Sequence, residues 1–273
     1  METNIKPVLR KPLKEIKMTI KLMFSKTVEN SPEVLRFIKK FNSDLGTVFG
    51  NGERNIIKTF EIEGETINIK SFKVPHLINK IVYKYFRKSK ARRSYEYATI
   101  LLEKGIGTPR PIAFLEKFNF IGIQDSYYVS EHLATELTFR ELVEIPDYPD
   151  HENILRQFTR FSFDLHEKGI QFMDHGPGNT LIKKVSDNKY QFFLVDLNRM
   201  NFHESLDFDM RMKNLSRLTP KKDMIAIMSD EYAKCYTETS SKIFEKMWEA
   251  TTQFQAAFAK KHKIKKKIKF WKA

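Results

Sequence analysis

An aspartate, Asp174, stands five residues before an asparagine, Asn179, in the stretch M-D-H-G-P-G-N, and a second aspartate, Asp196, closes the apolar run F-F-L-V-D. Transfer of a phosphoryl group from a nucleotide calls for such a set. One carboxylate orients or deprotonates the attacking hydroxyl, while an amide oxygen and another carboxylate hold Mg2+ against the phosphates. By itself, D-x-x-x-x-N followed by an aspartate arises by chance in many chains of this length. Order and context add weight, because Lys70 lies upstream near the end of a strand-like segment and Glu96 in the helical segment after it. Each residue also has a plainer reading. Lys70 is an ordinary strand lysine in a lysine-rich chain, Glu96 a partner of Arg92 or Arg93 on its own helix, and Asp174 a turn former.

The elements that must position these residues follow from local patterning. Residues 44–49, 54–62 and 65–74 read as three strands of an antiparallel meander, with Gly50-Asn51-Gly52 after the first and Glu63-Gly64 as a turn between the second and third. Tyr95, Ala98, Leu101 and Leu102 recur at helical spacing, and Gly105 and Gly107 stop that helix. Two further strands follow near 112–116 and 127–131. From Asn153 the chain turns helical, with Ile154, Phe158, Phe161 and Leu165 on one stripe, and Phe244, Met247, Trp248, Phe254 and Phe258 share a face near the C-terminus. The expected architecture is α+β and bilobal. A five-stranded lobe with one helix spans 41–133, a mainly helical lobe spans 134–259, and a basic extension (1–40) and a lysine-rich tail (260–273) flank them.

A strand lysine paired with a helix glutamate, upstream of Asp, Asn and Asp in this order, is the arrangement of protein-kinase-like enzymes. Within that group the chain resembles the lipopolysaccharide core kinases, the heptose and Kdo kinases. The resembling pieces are I-N-I-K-S-F-K (67–73), S-K-A-R-R-S-Y-E-Y-A (89–98), G-I-G-T-P-R-P-I-A-F (105–114), 165–182 and 192–199. The resemblance implies that Lys70 binds the phosphates of ATP with Glu96 as its ion-pair partner. It makes Asp174 the catalytic base and Asn179 and Asp196 the Mg2+ ligands. Gly50 and Gly52 would belong to the loop covering the nucleotide, and backbone groups from Glu131 to Leu133 to the hinge holding adenine. The sequence departs from the common kinase pattern in several places. There is no full G-x-G-x-x-G, Phe172-Met173 replaces His-Arg before Asp174, D-L-N replaces D-F-G, and no A-P-E follows. These departures speak against a protein substrate and are acceptable in a carbohydrate kinase.

Composition bounds the rest. The chain has 273 residues, 41% of them hydrophobic and 13% aromatic, enough for a large core and against disorder. No apolar run is long enough to cross a bilayer, Met1 to Lys26 has no continuous apolar stretch of a secretory signal, and the lone Cys235 fits a reducing cytoplasm. A net charge of +14 calls for a polyanionic partner. Eight of the last fourteen residues are lysine, interleaved with Ile264, Ile268, Phe270 and Trp271, which suits an anionic membrane surface. The charge would equally suit nucleic acid, but no nucleic-acid motif accompanies it. The expected protein is therefore an ATP- and Mg2+-dependent kinase, peripheral on the cytoplasmic face of the membrane, whose acceptor is lipopolysaccharide or a related anionic glycolipid. Its rivals are a protein kinase, a small-molecule phosphotransferase and a non-catalytic scaffold.

Overall fold

The computed structural model describes residues 18–25, 31–50, 55–74 and 76–270. The N-lobe contains β1 (Thr19–Phe24), α1 (Ser31–Lys39), β2 (Thr47–Phe49), β3 (Asn55–Ile62), β4 (Glu65–Phe72), α2 (Leu77–Tyr85), α3 (Lys90–Glu103), β5 (Pro111–Phe118) and β6 (Ile123–Glu131). Its six strands form one antiparallel sheet in the order β1-β5-β6-β4-β3-β2. The β3–β4 turn falls on Glu63 and Gly64, with φ of 50° and 85°. Two successive positive φ values match the twist of the flanking strands, and glycine takes the second at no steric cost. The turn sets the register that puts Lys70 opposite Ile57 on one side and Tyr128 on the other.

The sheet has one strand more than the sequence pattern suggests, and the lobe has more helix. Within the region expected to be a basic extension, β1 pairs along the whole of β5, from Thr19 with Phe118 to Phe24 with Ala113. Its side chains are exposed on both faces, so main-chain pairing holds it and no hydrophobic alternation announces it. Helix α1 buries Val34, Phe37 and Ile38 against Phe60, Ile67 and Val129, and Phe37 stacks on Phe60 at 4.7 Å. Residues 19–24 and 31–39 are thus part of the N-lobe. Their lysines and arginines mask an apolar stripe at spacings of three and four.

The C-lobe contains β7 (Leu137–Thr138), α4 (Phe139–Glu144), α5 (His151–Glu167), β8 (Ile170–Phe172), β9 (Thr180–Ser186), β10 (Lys189–Leu194), β11 (Met200–Phe202), α6 (Phe208–Leu215), α7 (Lys222–Ala233) and α8 (Ser240–Phe270). Strands β7, β9 and β10 form one small sheet, and β8 with β11 another. The core lies between α5, α7 and the first half of α8, around Phe139, Ile154, Phe158, Met228, Tyr232 and Met247. The lysine-rich tail continues α8 as far as the described residues go. The apolar face expected to reach Phe258 ends earlier, because Phe258 is exposed while Ile243 and Met247 are buried. The two short sheets present the loops that carry Asp174, Asn179 and Asp196.

Candidate active site

A cleft of about 760 Å³ opens between the lobes, within the range usual for ligand pockets. Lys70 reaches it from β4, Asn179 from a 3-10 turn (Pro177–Asn179), and Asp196 from the turn after β10. Ile57 from β3 faces Leu181 and Leu194 from the C-lobe across the apolar part, a slot suited to a planar base. Leu133 lines the same cleft, and no hydrogen bond among the described residues uses its backbone groups, which leaves them for the edge of a bound base. Glu131 does not line it. Its side chain turns to Arg110 at 3.4 Å, and its N–H donates to the Arg110 carbonyl. Gly50 sits at the end of β2 with φ 81°, beside the cleft-lining Phe49, and Gly52 lies outside the described residues.

The Lys70 ammonium lies 2.8 Å from Asp196 Oδ1. The expected pair with Glu96 is not made. Glu96 instead meets Lys88 at 2.7 Å and Arg92 at 2.9 Å, and these two cations hold its carboxyl below its ordinary value against the opposing effect of burial. Arg92 lies one helical turn from Glu96, so α3 satisfies this carboxylate locally. The plainer sequence reading of Glu96 is the one found.

Asp196 adopts φ 59°, a left-handed conformation that aspartate tolerates better than most residues. Asn198, the third residue of D-L-N, holds it. Asn198 Nδ2 donates to Asp196 Oδ1 at 2.6 Å, its carbonyl accepts from Arg93 Nη1 at 2.8 Å, and its Oδ1 accepts from Ser94 Oγ at 3.4 Å. The asparagine in place of glycine therefore ties the second aspartate to α3. The departure from D-F-G marks this residue in the sequence, but its partners are distant in the chain.

Asp174 has a different set of partners. Asn179 Nδ2 donates to its backbone carbonyl at 2.7 Å, which fixes the loop and leaves Asn179 Oδ1 free to ligate. Its carboxylate Oδ1 meets Arg217 at 2.9 Å and Arg199 at 3.2 Å. Neither arginine is signalled by local sequence. Behind the loop, buried His166 accepts from the Tyr232 hydroxyl at Nδ1 and donates from Nε2 to Asn214 Oδ1, and Asn214 Nδ2 in turn donates to the Phe172 carbonyl. Burial holds His166 neutral, with its pKa pulled down to about 3. It ties the loop to the helices, the structural role expected of it.

Asp196 and Asn179 line one cleft and offer hard oxygen donors. No group of three or more His, Cys, Asp or Glu suited to a metal occurs among the described residues. One carboxylate with one amide fits Mg2+, which draws its remaining ligands from phosphates and water.

The description "Lipopolysaccharide kinase (Kdo/WaaP) family" matches residues 39–250. The chain belongs to this family. The match covers the lobes that bear Lys70, Asp174, Asn179 and Asp196. A solved structure titled "WaaP in complex with acyl carrier protein" is similar in fold, with a TM-score of 0.60 and 17% identity over 88% of this chain and 98% of that one. No curated protein matches. In all, 1010 solved chains match, so the fold is widely shared and does not by itself select an acceptor.

Proposed function

We propose that the protein transfers the γ-phosphoryl group of ATP to a hydroxyl of an inner-core sugar, heptose or Kdo, of lipopolysaccharide. The observation that carries this reading is the meeting of Lys70, Asn179 and Asp196 in one cleft with Asp174 at its rim, in a chain of the lipopolysaccharide kinase family. Ile57, Leu133, Leu181 and Leu194 enclose the adenine and exclude water from it. Lys70 leaves Asp196 and takes the phosphates, whose charge exceeds that of a single carboxylate. Asn179 Oδ1 and Asp196 hold Mg2+, which neutralises charge developing on the phosphoryl oxygens. Asp174, fixed through its carbonyl by Asn179 and through Oδ1 by two guanidinium groups, presents Oδ2 to the acceptor hydroxyl and takes its proton. Positioning and charge neutralisation account for the catalysis.

The acceptor lies at the cytoplasmic face of the membrane in this reading. Its support is the exposed second half of α8, where Phe258 and Ile264 stand among Lys260, Lys261, Lys263, Lys265 and Lys266. Lysines near an anionic surface contribute about 1 kcal/mol each. No helix among the described residues is long and apolar enough to cross a membrane, so this attachment is peripheral.

The test is transfer from γ-labelled ATP with Mg2+ to lipid A–core glycolipid, to a generic protein, and to neither, using the wild type and Asp174→Ala. Label enters the glycolipid and falls by about 10²–10⁴-fold in the variant. Label in protein alone would replace this reading with a protein kinase, and absence of ATP binding would remove it.

A further inference from the structure

Asp174 stands between two clefts. Its backbone carbonyl is bonded to Asn179 on the wall of the nucleotide cleft, and its carboxylate to Arg199 and Arg217 on the wall of another. That second cleft, of about 560 Å³, lies between β8, α6 and α8, with Phe172 and Met173 on one side and Lys213 and Phe254 on others.

Its charges are unevenly satisfied. The two acids on its wall, Asp209 and Glu249, are both engaged by Lys246, at 3.3 and 3.4 Å. Arg199 and Arg217 share the single carboxylate oxygen of Asp174, and the Lys213 ammonium has no partner among the described residues. One guanidinium suffices to position Asp174. Arg217 does so, being held as well by the Met173 carbonyl at 2.7 Å and against the Phe254 ring at 5.2 Å. Arg199 is surplus to that task, since its side chain is 59% exposed and its one contact is the 3.2 Å approach to Asp174. Each guanidinium carries five N–H donors in a planar fork, and the structure uses one nitrogen of each. Such forks match the paired oxygens of carboxylate and phosphate.

We infer that this cleft is the acceptor site and that it takes a sugar bearing an anionic group, phosphate or carboxylate, beside the hydroxyl that reacts. The inference rests on the kinase reading above and adds to it the chemistry of the acceptor. Arg199, Lys213 and the unused donors of Arg217 hold the anion. In moving to the anion, Arg199 releases Asp174 Oδ1, so the base becomes fully available only when an anionic acceptor is in place. The acceptor oxygen then bonds to the γ-phosphorus and the bond to the β-bridging oxygen breaks. ADP leaves with that electron pair, and the hydroxyl proton passes to Asp174. An acceptor without the anion binds weakly and meets a base still engaged by two cations.

The experiment measures steady-state transfer from γ-labelled ATP to three acceptors: lipid A–core glycolipid, the same glycolipid treated with phosphatase, and the same with its sugar carboxylates reduced to alcohols. The proteins are the wild type, Arg199→Gln, Arg199→Lys and Lys213→Gln, each with its thermal midpoint and ATP affinity recorded. Arg199→Gln raises the acceptor KM about tenfold and leaves the KM for ATP within about twofold, while Arg199→Lys recovers part of the loss. With wild type, one stripped acceptor shows the same rise, which tells phosphate from carboxylate, and Arg199→Gln adds nothing further on that acceptor. An Arg199→Gln effect of equal size on all three acceptors, or unchanged acceptor KM in both Arg199→Gln and Lys213→Gln, overturns the inference and leaves the kinase reading intact. Wild type that binds ATP yet labels no glycolipid overturns both.

Discussion

The Lys70 ammonium and the Asp196 carboxylate meet at 2.8 Å across the cleft, although 126 residues separate them in the chain. The lysine stands on β4 of one lobe and the aspartate on the turn after β10 of the other. Their side chains are 17% and 41% exposed, so the pair is partly solvated and contributes on the order of 1 kcal/mol or less. A metal–nucleotide complex, carrying several charges of each sign, outcompetes such a pair at both ends. The ion pair therefore occupies the two groups between turnovers at little cost to binding.

Asp196→Asn separates the two partners' roles. It releases Lys70 and removes a carboxylate that repels the phosphates, so metal-free ATP binds more tightly, by about threefold or more. The same change removes a metal ligand, so Mg2+-ATP binds more weakly and transfer falls by about a hundredfold or more. Titration calorimetry with and without Mg2+ reads both. Weaker binding in both conditions contradicts the competition between Asp196 and the phosphates.

Asn198→Gly, which restores the commoner third residue of the motif, should harm this protein. The 2.6 Å bond to Asp196 and the contact with Ser94 disappear, and Asp196 is left at φ 59° without its clamp. The expected loss is about tenfold in kcat and about 1–2 kcal/mol in stability. Urea denaturation and steady-state kinetics check it, and an unchanged kcat means the clamp does not orient Asp196 for the reaction.

Gly107→Ala tests why G-I-G-T-P is spaced as it is. A Cβ at Gly107 would lie 2.2 Å from the Phe192 carbonyl oxygen, where β10 crosses the loop. The loop and β10 are also laced together by Leu194 N–H to the Gly107 carbonyl at 2.9 Å and Thr108 Oγ1 to the Leu194 carbonyl at 2.7 Å. Separation of the two costs about 3 kcal/mol or more. Gly176→Ala is the control, because its nearest neighbour would be 3.8 Å away, and its stability should change by less than about 1 kcal/mol. Equal effects at the two glycines would contradict the close approach.

Acid should destabilise the fold through its buried histidines. Burial lowers the pKa of His166 to about 3 and of His175, packed between Phe158 and Phe172, to about 4. Both stay neutral in the folded chain while their unfolded counterparts gain protons below about pH 6.5. Stability is therefore present above that pH and lost as pH falls toward the folded values. Each histidine contributes about 1.4 kcal/mol per pH unit, or roughly 4 kcal/mol for the pair between pH 6.5 and 5. Urea titrations at pH 7, 6 and 5 measure the slope. A slope no smaller in His166→Asn than in the wild type would contradict this origin.

The residues of the site differ in how far local sequence could place them. Asp174 and Asn179 were legible as a pair because a Gly- and Pro-containing loop fixes both within a few residues, and the bond from Asn179 Nδ2 to the Asp174 carbonyl is a local contact. Leu133 was legible as the end of a strand leading out of the sheet. Strand β1 was not, because a strand exposed on both faces has no alternation to detect, and its partner β5 lies about ninety residues away.

By itself the sequence determined the order of the lobes, the main strands and helices around the cleft, and the identities of Lys70, Asp174, Asn179 and Asp196. Periodicity and turn chemistry act over short spans, and these features depend on them. Only the tertiary structure decided which charges meet. With 48 lysines and arginines in the chain, Glu96, Asp174 and Asp196 each had many candidate partners of similar intrinsic affinity. Coulomb attraction falls off within a few ångströms in water, so the outcome depends on which backbones the packed core brings together. That is how Glu96 came to Lys88 and Arg92, Lys70 to Asp196, and Arg217 to Asp174 from 43 residues away.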